Sequence, residues 1–277
     1  MSADAGRLVS RRAVRLPGRE LEQLLGTAVP SDHARQTVGD VYIDRELGRV
    51  DGHRWRVLDL GCGDGGSVEL FRARDPGVDW IGLDIPGSRE AGARRRTDTR
   101  FATFDGVSIP FADGSFDLVY CKQVLEHVRH PAPLLHNVHR VLAPGGYFAG
   151  STSQLEPFHS LSLWNYTPVG LAQLLEDARL SLLEIRPGID ALALIARRLA
   201  GRHSRLDRVW ARWWGGQSPL NRAIDGYGRA RRLDARSLNA TKLLFCGQFA
   251  FLACRAAPPP PAVGETTPDH IGERSRA

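Results

Sequence analysis

The chain has 277 residues, of which 42% are hydrophobic and 25% charged, which is ordinary for a globular protein and enough for one α/β domain with an insertion. The formal net charge is +6, and nearly all the positive charge is arginine, because Lys122 and Lys242 are the only lysines. We attribute this bias to genome base composition and therefore do not expect a nucleic-acid-binding surface. No secretory signal and no run of about 20 apolar residues is visible, and no membrane span is predicted.

The segment 1–50 is predicted to be an N-terminal extension with a lid helix. Residues 1–18 are rich in arginine and are expected to be loose. Leu21, Leu24 and Leu25 recur at helical spacing and predict a helix, which the apolar segment 41–43 follows.

A glycine-rich loop follows the first predicted strand. The apolar run 57–60 contains Asp59, the segment 61–66 holds four glycines, and a helical pattern begins near Ser67. This strand, turn and helix form the entrance to a nucleotide-type site, where glycine allows positive φ and close approach of a ligand. Asp59 and Asp64 would repel a pyrophosphate. They suit a cationic ligand such as S-adenosylmethionine, which carries an ammonium and a sulfonium.

Two further acids follow the next predicted strands. Asp84 lies 23 residues after Gly61, close to the spacing of about 20 residues typical of an acid that binds ribose hydroxyls. Asp105 ends the segment 101–104, where it can accept a hydrogen bond from an adenine amino group. Acids at three consecutive strand ends meet at one edge of a parallel sheet and predict a binding site there.

These motifs, together with the segments 109–119, 124–128 and 141–146, resemble the class I S-adenosylmethionine-dependent methyltransferases, in the small-molecule subgroup. The resemblance covers residues 55–187 and a last strand near 247–254. It implies S-adenosyl-L-methionine as cofactor, and it implies cofactor contacts from Asp59, Gly61, Cys62, Gly63, Asp84, Ile85, Asp105, Gly106 and the loop at Cys121. Tyr42 would be a lid residue in such a protein, although a core aromatic is the simpler interpretation.

Alternating strands and helices predict a doubly wound, mostly parallel α/β sheet of the Rossmann-like kind. Strands are predicted at 56–60, 79–83, 101–104, 117–121, 146–151 and 181–186. Helices are predicted at 67–74, 88–94, 132–142 and 168–177. The family's seventh strand, near 247–254 in this chain, would run antiparallel.

We divide the chain into the extension, a cofactor-binding core at 51–186, a helical insertion at 187–246, a last core strand at 247–255 and a disordered tail at 256–277. The insertion follows strand six and emerges at the edge where the cofactor would bind. Its tryptophans and arginines fit three interpretations: packing on the sheet, an acceptor lid that stacks a sugar or ring, or a helix on an anionic membrane. The tail contains consecutive prolines and is predicted to be disordered.

His159 is the predicted general base, because it lies in the loop after strand five and imidazole titrates near neutral pH. It could equally be a histidine that shapes the pocket. His127 is expected to be structural, and Lys122 either orients an acceptor or is solvated. His136 and His139 have helical spacing but lack further ligands, so no metal site is predicted.

The sequence predicts an enzyme that transfers a methyl group from S-adenosylmethionine to a small-molecule or saccharide acceptor, most simply at oxygen, in a biosynthetic pathway. The loop after strand four lacks the Asn/Asp-Pro-Pro-Tyr/Phe motif of DNA-amine and glutamine methyltransferases. One alternative is a non-catalytic cofactor-binding or interaction protein. Another is a peripheral membrane methyltransferase that acts on a lipid-linked acceptor. Four cysteines without a close CxxC pair favour a reducing, cytoplasmic location.

Overall fold

The structure, a computed structural model, describes residues 17–47, 54–201 and 206–257. Its centre is a seven-stranded sheet in the order β3-β2-β1-β4-β5-β7-β6. The strands are β1 Arg56–Leu60, β2 Asp79–Asp84, β3 Arg100–Thr103, β4 Phe116–Lys122, β5 Leu142–Ser153, β6 Leu180–Pro187 and β7 Gln248–Arg255. Only β7 runs against its neighbours, pairing antiparallel with both β5 and β6. The predicted Rossmann-like fold with an antiparallel last strand is therefore confirmed.

Both faces of the central strands are buried, as expected for a parallel sheet covered by helices. Leu58 and Leu60 belong to one apolar cluster, whereas Val57 belongs to another. Because side chains alternate along a strand, the two clusters occupy the two faces of the sheet. Tyr42 is fully buried in the second cluster, so it is a core aromatic and does not form a lid.

Helices connect the strands and flank the sheet. They are α1 Arg19–Leu25, α2 Val41–Leu47, α3 Val68–Arg72, α4 Arg89–Gly92, α5 Pro131–Val141, α6 Pro168–Asp177, α7 Ala191–Ala200, α8 Asp207–Gly215, α9 Pro219–Arg231 and α10 Ala235–Phe245. In α5 the buried residues Leu134, Val138 and Val141 recur every three or four positions and pack on the sheet. Thr167 caps α6 by accepting a hydrogen bond from the Gly170 backbone, and Pro168 occupies the first turn.

The insertion between β6 and β7 contains α7 to α10 and is tied to the N-terminal segment. The Gln36 amide donates to the Trp213 carbonyl at 2.6 Å, and its oxygen accepts from the Ser218 hydroxyl and the Asn221 amide, both at 2.9 Å. The Asp190 carboxylate caps α7. These polar contacts are buried or half-buried, so they hold the insertion in a fixed position on the sheet.

No helix in the described part of the chain is long and apolar enough to cross a membrane. The predicted loose start and disordered tail fall almost wholly on residues 1–16 and 258–277, outside the described residues.

Candidate cofactor and acceptor site

The glycine loop leaves β1 at Gly61, which has a φ of 74° and donates its backbone N–H to the Leu83 carbonyl at 2.7 Å. Positive φ strains any residue with a side chain. A Cβ at this position would also lie 2.3 Å from Cγ2 of Val124. Glycine is therefore required here both by the turn and by the close approach of the segment after β4.

Asp84, the last residue of β2, holds this loop in place. Its buried carboxylate accepts the backbone N–H of Gly63 at 2.8 Å through Oδ2 and that of Ile85 at 2.8 Å through Oδ1. The structure thus brings together Gly63 and Asp84, which the sequence assigned to one site. Ile85 is exposed beside them, where its side chain can contact a ligand.

Asp59 is buried below the same loop and receives a short hydrogen bond from the Ser67 hydroxyl at the start of α3. Burial raises the pKa of Asp59 to about 7, and the Ser67 hydrogen bond opposes this shift. The carboxyl can therefore lose a proton near neutral pH when a cation binds beside it.

Asp105 follows β3 and is exposed. Its Oδ1 accepts the backbone N–H of Ser108 at 2.6 Å and of Val107 at 2.8 Å, and these bonds hold the pKa of the carboxyl below its ordinary value. Gly106 has a φ of 88°, so the chain turns sharply beside this carboxylate. Asp64, in contrast, is exposed and accepts only from the Gly66 backbone. The contact fits a solvated turn residue.

Cys121 was predicted to end the fourth strand and to begin the loop that contacts the cofactor. Strand β4 extends to Lys122, and the Cys121 side chain is fully buried in an apolar cluster. Any cofactor contact from Cys121 would have to use its backbone. The Cys62 side chain is also buried, and burial raises the pKa of its thiol to about 12.

Arg94, which the sequence did not single out, contacts the glycine loop. Its guanidinium donates to the Gly63 carbonyl at 2.8 Å and 3.2 Å and lies 3.7 Å from the centre of the Phe101 ring. Arg94 stands next to two other arginines, Arg95 and Arg96, so no sequence signal separates it from its neighbours.

A second group of polar residues lies at the ends of β4 and β5. Glu126 and His127 occupy a 3-10 turn after β4, and His159 follows β5. The rings of His127 and His159 meet edge to face with centroids 5.2 Å apart. Nε2 of His159 lies 3.9 Å from Oε1 of Glu126, and its Nδ1 lies 3.7 Å from Oε1 of Glu156.

The two carboxylates in this group are buried. Thr152 and Ser153 donate hydroxyl hydrogen bonds to Glu126 at 2.9 Å and 3.2 Å. Burial raises the pKa of Glu126 to about 7 and, with a smaller effect of His159, lowers the pKa of His127. Glu126 and Glu156 lie in the two loops predicted to hold catalytic candidates, but only the histidines were assigned a role from the sequence, because a buried acid has no sequence pattern of its own.

Two cavities open near these groups. One of about 550 Å³ is bounded by Arg89, Ser160, Arg197 and other residues of α4 and α7. A smaller one of about 90 Å³ is lined by Lys122, Gln123, Ser151 and Trp214, among others. Lys122 is not free within it, because its ammonium pairs with Asp40 at 2.8 Å.

The tryptophans of the insertion mostly pack within it. Trp210 is buried against Trp213 with ring centroids 5.1 Å apart, and Trp213 and Trp214 pack on a small cluster with Ile189 and Leu194. Packing is therefore the main role of these rings. Trp214 alone among them lines the smaller cavity.

Residues 58–150 match the family model described as "Methyltransferase domain". A demethylmenaquinone methyltransferase of Renibacterium salmoninarum is 41% identical over 101 residues, which are 36% of this chain and 41% of that protein. A trans-aconitate 2-methyltransferase of Methylobacterium nodulans is 41% identical over 95 residues, 34% of this chain and 36% of that protein. The chain thus spans about two-fifths of the length of these relatives.

A solved structure of a putative sarcosine dimethylglycine methyltransferase from Galdieria sulphuraria aligns with 79% of this chain and 85% of its own, with a TM-score of 0.50 and 18% identity. At that identity the likeness concerns the fold. The strand order, the glycine loop clamped by Asp84 and the matched segment agree with one another. Together they support a methyltransferase domain at residues 58–150, within a sheet of the class I S-adenosylmethionine-dependent methyltransferase type.

Proposed function

We propose that the protein binds S-adenosylmethionine at the glycine loop and transfers its methyl group to a small-molecule acceptor. The observation that carries the proposal is the clamp of Asp84 on Gly63, within a segment that matches a methyltransferase domain. Asp59 and Asp84 place carboxyl groups beside that loop, and Asp105 follows β3 at the same edge of the sheet. This charge suits the ammonium and sulfonium of the cofactor and disfavours a pyrophosphate.

A small-molecule acceptor is supported by the relatives, whose names refer to demethylmenaquinone and trans-aconitate. We propose oxygen as the acceptor atom, in a biosynthetic reaction. The loops after β4 and β5 bring Glu126, His127 and His159 together, and side chains of these types can act as acid or base toward an acceptor hydroxyl. A saccharide acceptor remains within the proposal because Trp214 offers an aromatic surface beside the smaller cavity.

His159 is proposed as the general base of the enzyme when no metal ion is bound to its ring. Its ring lies between Glu126 and Glu156, whose carboxylates would stabilise an imidazolium. In the reaction the hydroxyl proton would pass to His159, the oxygen would form a bond to the methyl carbon, and the carbon–sulfur bond would break. S-adenosylhomocysteine would leave as a neutral thioether.

The experiment uses S-adenosylmethionine labelled in its methyl group, incubated with the purified protein and fractionated small-molecule extracts. We expect label to enter a small-molecule fraction with the wild type. His159→Ala should still bind S-adenosylhomocysteine but should transfer at least about 100-fold less label. Unchanged transfer by His159→Ala would remove the base role. The absence of transfer to any fraction, by a protein that binds the cofactor, would favour a non-catalytic binding protein.

The insertion at 187–246 is proposed as an acceptor lid, and Trp214 provides the test. Trp214→Ala should raise the acceptor KM and leave the affinity for S-adenosylhomocysteine unchanged, because the ring lines the cavity and not the glycine loop. Tyr227→Ala, an aromatic change in α9 outside that cavity, is the matched control. Equal acceptor KM values for the two variants would reject the lid.

One observation favours a second candidate, a peripheral membrane enzyme with a lipid-linked acceptor. Phe158, Leu161 and Leu199 are 72%, 79% and 85% exposed, and Arg197 and Arg198 stand beside them at the larger cavity. Sedimentation with phosphatidylglycerol vesicles tests this, with Leu199→Ser as the variant and phosphatidylcholine vesicles as the control.

We propose a cytoplasmic location, in keeping with four free cysteines.

A further inference from the structure

We propose that Glu126, His127 and His159 form a binding site for a divalent transition-metal ion. One ligand atom from each of the three residues lies within 4.8 Å of the others. A metal was considered from the sequence only at His136 and His139, which lie together on α5. The structure instead brings His159 next to Glu126 and His127, which lie more than 30 positions earlier in the chain.

The geometry of His159 suits a metal ligand. Its Nδ1 lies 3.3 Å from the Pro157 carbonyl, to which the protonated nitrogen donates, so Nε2 is left with a free lone pair facing Glu126. A metal-bound histidine typically fixes its ring through such a bond from its other nitrogen. Metal–ligand bonds of about 2.0–2.2 Å place neighbouring ligand atoms about 3–3.5 Å apart. The distance of 3.9 Å between Nε2 and Glu126 therefore has to close by about 0.5 Å, and a pair at the 4.8 Å limit of the group has to close by about 1.3 Å.

The charge and hydrogen bonding around the site also favour a cation. Glu126 is fully buried, and its carboxylate accepts hydrogen bonds from the neutral hydroxyls of Thr152 and Ser153. Glu156 is buried close by and pairs at 3.2 Å with Arg198, which is half-exposed. Nδ1 of His127 is buried and has no hydrogen-bond partner among the described residues. A bound ion would neutralise the carboxylate and could use that nitrogen.

The backbone beside the ligands is strained. Gln123, Ser160 and Leu161 all have positive φ, with values of 55°, 42° and 63°. Residues in such strained backbone conformations concentrate at functional sites. They stand just before the turn that carries Glu126 and just after His159, so they set the positions of the ligands.

Two imidazoles and one carboxylate indicate the class of ion. This mixture of nitrogen and oxygen ligands suits zinc, iron or cobalt in the divalent state better than magnesium or calcium, which prefer oxygen ligands. The three protein ligands also leave coordination positions open for an acceptor oxygen.

The role of the ion rests on the proposed function. A bound ion lowers the pKa of a coordinated hydroxyl, whose proton would leave to water. The oxygen would then form the bond to the methyl carbon as the carbon–sulfur bond breaks. With Nε2 bound to the ion, His159 would hold the metal and would not take the proton itself, so a chelator separates this role from direct base catalysis.

The binding test uses the full-length, untagged protein after treatment with a chelator. Co²⁺ is added while the visible absorption is recorded, and Zn²⁺ is added by calorimetry. We expect one ion per chain and an affinity at least tenfold lower in both Glu126→Gln and His159→Gln. Glutamine at 126 keeps the size and the acceptor for Thr152 but removes the charge. His136→Ala, which removes an exposed histidine of α5, should bind as the wild type does.

Absence of stoichiometric binding by the folded wild type would overturn the inference, and so would equal affinities in all variants. Circular dichroism melting identifies a variant that fails to fold. If Glu126→Gln fails to fold, the binding affinity of His159→Gln alone tests the inference, because the ring of His159 is partly exposed. Binding of S-adenosylhomocysteine to the metal-free protein keeps the two proposals apart. If the cofactor binds but the ion does not, only the metal site fails, and the reverse result rejects only the methyltransferase proposal.

Discussion

The Asp84 carboxylate accepts the backbone N–H of Gly63 at 2.8 Å and thereby joins the end of β2 to the glycine loop after β1. The two residues are 21 positions apart in the chain, and the parallel pairing of β1 with β2 brings them together. The bond fixes the loop before any ligand is bound, so the cost of ordering it is already met in the free protein.

Asp84→Asn tests this relationship. The substitution keeps the shape of the side chain but removes the charge and one acceptor oxygen, so we expect the affinity for S-adenosylhomocysteine to fall at least tenfold. Calorimetry measures the affinity, and melting confirms that the variant is folded. The control is Asp113→Asn, which changes an exposed acid in the turn before β4 that pairs with Arg140. This variant should bind S-adenosylhomocysteine as the wild type does. Equal affinities of the two variants would show that Asp84 does not bind the cofactor.

The raised pKa of Asp59 predicts a pH-dependent stability. The pKa is about 7 in the folded protein and near 3.8 when unperturbed, so the folded state holds this proton more tightly. The stabilisation is complete below about pH 4 and is lost as the pH rises to about 7. Asp59→Asn removes the effect. The free energy of unfolding of Asp59→Asn, relative to that of the wild type, should therefore rise by about 2 kcal/mol between pH 5.5 and pH 8.

Urea unfolding at the two pH values measures this difference. Asparagine still accepts a hydrogen bond from Ser67, so packing around the site is preserved. If the stabilities of wild type and Asp59→Asn change in parallel with pH, the carboxyl at 59 has an ordinary pKa and this account of it is wrong.

Gly61→Ala tests the turn after β1. An added Cβ would be 2.3 Å from Cγ2 of Val124 and would have to accept a φ of 74°. We expect a loss of about 2–4 kcal/mol in the free energy of unfolding, measured with urea. Gly92→Ala is the control, because a Cβ there meets nothing within 4 Å. A Gly61→Ala protein as stable as that control would contradict the described loop.

A buried ion pair holds the insertion together. Nζ of Lys242, on α10, is fully buried and lies 2.6 Å from the Asp225 carboxylate on α9. Asp225→Asn leaves the ammonium without its partner charge and should cost about 2–3 kcal/mol, measured by urea unfolding. Asp44→Asn breaks an exposed pair with Arg74, which solvent screens, and should lower the free energy of unfolding clearly less. Similar losses in both variants would mean that the buried pair contributes no more than the surface pair.

The fold could be predicted from the sequence because its signals are local. The acid and glycines from Asp59 to Gly66 mark the first turn, and the alternation of strands and helices follows in order. The fourth strand was predicted to end at Cys121 but continues to Lys122, so the loop after it begins one residue later than expected. Whether Tyr42 is a lid or a core residue depends on packing against distant strands, which the sequence does not contain.

The polar group at the ends of β4 and β5 could be predicted only in part. His159 was singled out by its residue type and loop, but its contacts with Glu126 and Glu156 depend on how two loops converge. Arg94 reaches Gly63 only because α4 lies over the glycine loop. Contacts of this kind are tertiary, so single residues and their spacing do not reveal them.

Calorimetric titration of the wild type with S-adenosylhomocysteine shows whether the glycine loop binds S-adenosylmethionine. We expect one molecule bound per chain with a dissociation constant in the micromolar range. In the proposed binding mode ionised Asp59 faces the cofactor ammonium, so binding should also release a proton below about pH 7. A folded protein that shows no binding heat and no shift in melting temperature with the ligand would contradict the claim.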